Sequence, residues 1–289
     1  MAEKFSNVGT NIKAIGYLAV AYFCFASLNL VSKALYEYHI NPMTITFYRG
    51  LFCVFLFMPF ALMMLRRGEV LNFSKINLYK GLIDFLSIPA WIMAVSNINI
   101  PEAVGLSYVT PLMTAVLAII FLKDRFSIDK WIVMLVGLVG VYIIVKPNTD
   151  NFNYHIIYVF IACALWAAGS ILTKNLTNRQ HPTIIVFVTN IVIVLLALPF
   201  FISNPYLMKS NEMLLCLIMS ATAGGGYYFL SKAYSYANLS NLVPYDYLRL
   251  IFATISAYIF YGQVIDINTV IGSMLIFGGA AYLIRKQLK

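Results

Sequence analysis

Charge is scarce in this chain. Asp, Glu, Lys and Arg supply 11% of the 289 residues and apolar types 61%, whereas soluble domains carry roughly 25% charged and roughly 45–50% apolar residues. A water-soluble globule is excluded, because too little polar surface remains to keep it dispersed. Histidine is rarer still: His39, His155 and His181 stand at the borders of apolar runs, where interfacial roles are expected rather than a metal site. Cys24, Cys53, Cys163 and Cys216 show no CxxC or other ligand spacing and are expected to be packing residues. There is no GxxxxGK[ST] loop to cradle ATP phosphates. Nor is there an HExxH, a motif of paired acids or a Ser-His-Asp set, which disfavours an integral membrane enzyme. Links between the apolar runs are too short to form a binding domain, which disfavours a structural or receptor role. No cofactor is expected.

What the chain has in abundance is apolar length. Ten stretches follow one another almost without pause: Ala14–Ala34, Met43–Leu65, Gly81–Val95, Ala103–Leu122, Trp131–Val145, Tyr154–Leu172, Thr183–Phe201, Met213–Leu230, Leu242–Tyr261 and Ile267–Ile284. A helix rising about 1.5 Å per residue crosses a hydrocarbon core about 30 Å thick in about twenty residues. The predicted fold class is all-α integral membrane, with ten transmembrane helices. The first run follows a polar segment and is too long for a signal-peptide core, so it is expected to remain as a span.

Orientation follows from the basic residues. With a cytoplasmic N-terminus, fifteen Lys and Arg fall on the inner links and tails, Lys80, Lys130 and Lys174 among them, against Lys33, Lys146 and Lys209 outside. The positive-inside rule then puts both tails in the cytoplasm, as an even number of spans requires. The predicted location is a cell inner membrane, crossed many times. The net charge of +9 reflects this topology. Basic residues scattered along membrane borders give no nucleic-acid face, so the expected partners are the lipid bilayer and a small molecule. No oligomeric state follows from the sequence.

The chain also repeats itself. Shifting by 139 residues aligns Ala94–Lys146 with Ala233–Arg285 without a gap and gives eleven identities, including Ser96 with Ser235, Tyr108 with Tyr247 and Gly140 with Gly279. A shift of 140 sets Pro42 on Pro182 and Pro59-Phe60 on Pro199-Phe200. The predicted domains are two five-helix repeats, residues 1–148 and 149–289. Five is odd, so the second copy enters the membrane from the opposite side. Inverted repeats of this kind enclose a midplane site in many secondary transporters.

The run NINIPEAVGLSYVTPLMTAVLAIIFLKDR and its partner YANLSNLVPYDYLRLIFATISAYIFYGQ resemble the paired signature of the drug/metabolite transporter superfamily, in its ten-helix EamA-type branch. The resemblance covers nearly the whole chain. Asp124 holds the acid that usually closes the fourth span, while Gln263 replaces its counterpart in the ninth. Membership implies movement of small organic solutes without ATP hydrolysis by the protein. Within that branch the chain is similar to the S-adenosylmethionine uptake transporters of obligate intracellular bacteria. That likeness implies uptake of S-adenosylmethionine or a related metabolite, by facilitation or by exchange for S-adenosylhomocysteine. An EamA-type exporter of amino acids or other small metabolites and drugs is the alternative.

Four ionisable residues interrupt the apolar spans: Arg49, Asp84, Asp246 and Arg249. Each costs roughly 2.5–3.5 kcal/mol near a helix centre, so a partner or a wet cavity is required. Asp246 and Arg249 are three apart and can pair on one helical face; Arg49 and Asp84 could instead snorkel from span ends. None of the four has a charged mate in the other repeat: Asp246 aligns with Ser107, Arg249 with Thr110 and Arg49 with Thr189. Stripes of polar, small or aromatic residues extend these positions. They are Asp246, Arg249, Ala253 and Ser256; Asp84, Ser87, Trp91 and Ala94; Tyr22, Phe25, Asn29 and Lys33; and Trp166, Ser170 and Thr173. These are expected to line one central cavity. The candidate substrate-binding residues are Asp246, Arg249, Asp84, Trp91, Trp166, Tyr108, Tyr245, Asn29 and Arg49, with Phe25 and Tyr247 as further aromatic candidates. For S-adenosylmethionine, Arg would hold the carboxylate and Asp the ammonium or sulfonium, while aromatic faces attract the sulfonium and stack the adenine. Pro89 and Pro111 are expected to interrupt the third and fourth spans, and Gly224-Gly225-Gly226 to soften the eighth.

Overall fold

The computed structural model describes residues 2–71, 73–98, 103, 106–145, 154–246, 249, 252, 255, 258–259 and 267–288, and all regular secondary structure among them is helical. The elements are α1 (Ala2–Glu37), α2 (Pro42–Arg66), α3 (Lys75–Asn97), α4 (Val109–Leu122), α5 (Ile128–Val145), α6 (Ile156–Thr177), α7 (Pro182–Ser203) and α8 (Ser210–Tyr236). A short α9 (Leu239–Leu242) runs into a 3₁₀ turn at Val243–Tyr245, and α10 spans Ile267–Leu288. Six of these helices, α1 from Thr10 onward, α2, α3, α6, α7 and α8, are long and apolar enough to cross a membrane. Two shorter apolar helices are α4 and the Val270–Leu283 stretch of α10. Half of the expected ninth span lies outside the described residues, including Tyr247, Ala253 and Ser256, as does Gln263 beyond it; Arg249, Phe252, Ile255, Tyr258 and Ile259 within the span are helical.

Helices α2 and α7 begin alike. Each has proline in its first position, where a missing N–H costs nothing. The residue before it caps the helix: Asn41 Oδ1 accepts from the Met43 amide at 2.9 Å, and His181 Nδ1 from the Thr183 amide at 3.3 Å. A turn interrupts the expected fourth span, of which Ala103 and Leu106 are helical. Ser107 and Tyr108 form a turn, so α4 opens at Val109 with Pro111 in its first turn, and that proline starts the helix instead of breaking it. Pro89 does lie inside α3, as Pro59 and Pro199 lie inside α2 and α7.

Packing follows a regular scheme: α1 against α8, α2 against α7, α3 against α6, and α5 against α10. Glycine allows the closest approaches. A Cβ on Gly140 would lie 2.8 Å from the Gly272 carbonyl, and one on Gly81 2.4 Å from Val192. The glycine triplet of α8 proves to be packing too. The helix is continuous through it, and a Cβ would stand 2.5 Å from Phe57 at Gly224 and 2.6 Å from Phe25 at Gly226. Close backbone approach through small residues is the usual means of helix association in lipid. Phe23, Phe55, Phe60, Phe121, Leu195 and Phe277 are exposed on the outer surface, as suits a molecule whose surroundings are acyl chains.

Candidate functional site

Where α1, α3, α6 and α8 converge on Asp246 and Arg249 they enclose a cavity of about 100 Å³. A single water needs roughly 10–15 Å³, so the space admits several.

One end is built by α3. Lys80, Asp84 and Trp91 recur at spacings of four and seven and share a face. Lys80 and Asp84 form a buried ion pair, with side-chain exposures of 5% and 4%. The lysine does not snorkel outward. Gly169 of α6 makes room for it, since a Cβ there would lie 3.5 Å from Lys80 Nζ and 3.6 Å from Asp84 Oδ1. Tyr227 of α8 covers it, with Nζ 5.3 Å from the ring centre.

At the other end, Asp246 ends the 3₁₀ turn and accepts a hydrogen bond from the Tyr22 hydroxyl of α1. Arg249 follows within the same helical turn and donates through Nη2 to Ser107 Oγ, the repeat counterpart of Asp246. Its guanidinium carbon lies 5.6 Å from the ring centre of Tyr108 and 5.6 Å from that of Trp166. Among the described residues no ion pair joins Asp246 to Arg249. The anticipated self-contained pair is therefore replaced by separate partners on α1 and beside α4, which leaves both charges facing the cavity. Between the two ends Trp91 and Trp166 stand 4.8 Å apart, tilted by 54°, and Trp91 Nε1–H donates to Asn29 Oδ1 at 3.0 Å.

Six of the nine sequence candidates thus line one cavity: Asn29, Asp84, Trp91, Trp166, Asp246 and Arg249. Three do not. Tyr108 sits behind Arg249 in the core, and the 3₁₀ turn directs Tyr245 into the same core with no exposure. Arg49 lies in a smaller neighbouring pocket. Arg49 and Asp84 are each 3% exposed, so neither reaches a headgroup. Among the stripes, Tyr22, Phe25, Ser170 and Thr173 also line the cavity, whereas Ser87 is buried beside it with its hydroxyl on the Asp84 carbonyl.

Lys80 is the residue that the sequence analysis misplaced, as a cation of an inner link. The i,i+4 spacing to Asp84 was the available signal. Tyr227 and Tyr234 were also overlooked. On a span crowded with aromatics nothing marks those two, and only the turn of α8 aims them inward.

Residues 12–146 and 153–285 each match the EamA-like transporter family. The chain belongs to this family. It is therefore a membrane transporter. Among its relatives, a Rickettsia prowazekii protein named S-adenosylmethionine uptake transporter is 24% identical over 91% of this chain and 90% of its own length. A riboflavin transporter of Brucella anthropi is 26% identical over 69% of this chain and 72% of its own. One solved crystal structure superposes with a TM-score of 0.76 at 15% identity, over 94% of this chain and 98% of that one, and so shares the fold.

Proposed function

We propose that this EamA-family member brings S-adenosylmethionine into the cell across the inner membrane by alternating access, through facilitated uptake or in exchange for S-adenosylhomocysteine. Its framework is ten spans in two inverted five-helix repeats, 1–148 and 149–289, with both tails cytoplasmic. Three observations support that framework. The family matches the two halves separately. The capped Asn41-Pro42 and His181-Pro182 starts recur one repeat apart. The pairings α1 with α8, α3 with α6, α2 with α7 and α5 with α10 map onto one another when the halves are exchanged.

The observation that carries the substrate assignment is Arg249, whose guanidinium lies 5.6 Å from the rings of both Tyr108 and Trp166 in a cavity that Lys80 and Asp84 also line. S-adenosylmethionine offers a carboxylate, an ammonium, a sulfonium and an adenine. The guanidinium fork of Arg249 takes the carboxylate, and Asp246 takes the ammonium. Trp91 and Trp166 accept the sulfonium and the adenine face. Asn29 orients Trp91 through the hydrogen bond described above. The relatives named as riboflavin transporters favour testing a second heteroaromatic solute in the same cavity. An EamA-type exporter of amino acids or other small metabolites is the second reading, since direction is set by gradients.

Uptake of labelled S-adenosylmethionine into liposomes containing only this protein tests the proposal, with S-adenosylhomocysteine, amino acids and riboflavin as competitors. Accumulation or counterflow that S-adenosylhomocysteine competes away is expected. Its absence, with export of an amino acid in the same vesicles, overturns the assignment. Arg249→Ala and Asp246→Ala are expected to abolish uptake at normal membrane expression; full retained transport would remove both residues from the site.

A further inference from the structure

Arg49 presents a problem that the substrate site does not solve. It is 3% exposed on α2, and its Nε has no hydrogen-bond partner. Among the described residues no carboxylate pairs with it. The face of Tyr227 offers it partial electrostatic relief, with the ring centre 5.8 Å from the guanidinium carbon. The second cation nearby, Lys80, already holds Asp84. Around this pocket there are consequently two positive charges and one negative. An isolated buried charge is expensive to maintain and calls for a counter-ion.

The pocket itself is small. It has a volume of about 10 Å³ and is walled by Arg49, Lys80, Asp84, Thr189, Asn190 and Tyr227, with further residues of α6 and α7. Thr189 Oγ1 and Asn190 Oδ1 are also buried without partners. That volume is at the threshold for a single water-sized occupant, roughly 10–15 Å³. The smallest counter-ion for such a space is a monatomic anion, since a carboxylate brings its carbon chain with it. We infer that this pocket binds one chloride-sized inorganic anion, held by Arg49 and the Thr189 hydroxyl, which neutralises the excess cation beside the Lys80–Asp84 pair. The Asp84 carboxylate also borders the pocket. Its repulsion is offset because Lys80 Nζ binds both of its oxygens. The site is separate from the proposed carboxylate seat at Arg249, and the inference does not depend on the identity of the transported solute.

The test is thermal unfolding of the purified protein in detergent, with sodium chloride exchanged for sodium gluconate at constant ionic strength. A saturable rise in Tm with chloride, absent in gluconate, is expected. Arg49→Gln should erase the rise. Thr189→Val, which removes one hydrogen bond to a charged ligand, should raise the half-saturating chloride concentration about tenfold. Coincident chloride and gluconate curves overturn the inference, as does a chloride shift that survives Arg49→Gln. So does an Arg49-dependent shift produced by methionine but not by chloride, which would make the pocket a carboxylate seat. Should Arg49→Gln fail to fold, an unchanged half-saturation in Thr189→Val overturns the inference alone. Because the readout is stability, failure of S-adenosylmethionine transport leaves this result standing, and the converse holds.

Discussion

A lysine and an aspartate four residues apart usually form a minor surface pair worth a few tenths of a kcal/mol. Lys80 and Asp84 differ because Gly169 and Tyr227 close over them. Both charges have left water, and each now depends on the other. Lys80→Met or Asp84→Asn alone should cost about 3–5 kcal/mol, because the remaining charge is buried without a partner. The double substitution should recover most of that loss. Thermal denaturation in detergent checks this, and additive losses would show that the two side chains act independently. At this scale Asp84, Asp246 and Arg249 were readable as anomalies, since charge within an apolar span always needs an explanation. Lys80 was not, because a cation at the edge of a hydrophobic run has the same one-dimensional appearance whether it faces headgroups or a cavity.

Helix starts show how an element can carry a pH response. His181 caps α7 by accepting from the Thr183 amide, which requires a neutral Nδ1. Burial holds its imidazole below the ordinary histidine range, against a smaller opposing pull from Glu69. In the unfolded chain the ring protonates first as pH falls. Stability from this cap is therefore present above about pH 6.5 and is lost as pH drops through and below that value. His181→Asn imitates the non-titrating Asn41 cap of α2. Its Tm advantage over the parent should grow between pH 7.5 and pH 5.5, and a constant difference would exclude the histidine as the source. His181→Ala should cost about 0.5–2 kcal/mol at neutral pH, the usual penalty for losing a helix N-cap. Most of the long helices were legible from apolar length. Their continuity was less so: the fourth span was read as unbroken from Ala103, but a turn at Ser107 and Tyr108 separates helical Ala103 and Leu106 from α4, which opens at Val109, because Pro111 suits a first turn better than a helix interior.

Across the whole molecule the junction of α8 and α9 stands out, because Lys174 fastens it within the second half and Asp124 fastens it to the first. Lys174 Nζ donates to the Tyr234 and Ala237 carbonyls at 2.6 and 2.9 Å, placing a cation at the end of α8. Asp124 Oδ2 accepts from the Ser240 amide at 3.1 Å, placing an anion at the start of α9. Both charges suit the helix ends that they meet. In the aligned repeat Asp124 corresponds to Gln263 and Ser240 to Pro101. Glutamine carries no charge and proline has no N–H to give, so the equivalent bond cannot form there. A bond to a charged group contributes about 1.5–3 kcal/mol. Asp124→Asn should accordingly raise labelling of an introduced Ala237→Cys by a membrane-impermeant maleimide about tenfold. Unchanged labelling would deny the junction a gating role.

Membrane residence and helical class were written along the chain, because apolar length and the rarity of charge are properties of local sequence that need no partner to be recognised. Which side chains meet was not. Tyr22 reaches Asp246 across 224 residues and Arg249 reaches Ser107 across 142, and such pairings depend on how each helix is rotated and on which neighbour it packs against. The same rotation turned Lys80 from a border cation into a buried partner of Asp84, withdrew Tyr245 into the core and enclosed Arg49 in a pocket of its own. A one-dimensional pattern specifies which residues cannot face lipid; the close packing of helices through glycine specifies what they face instead.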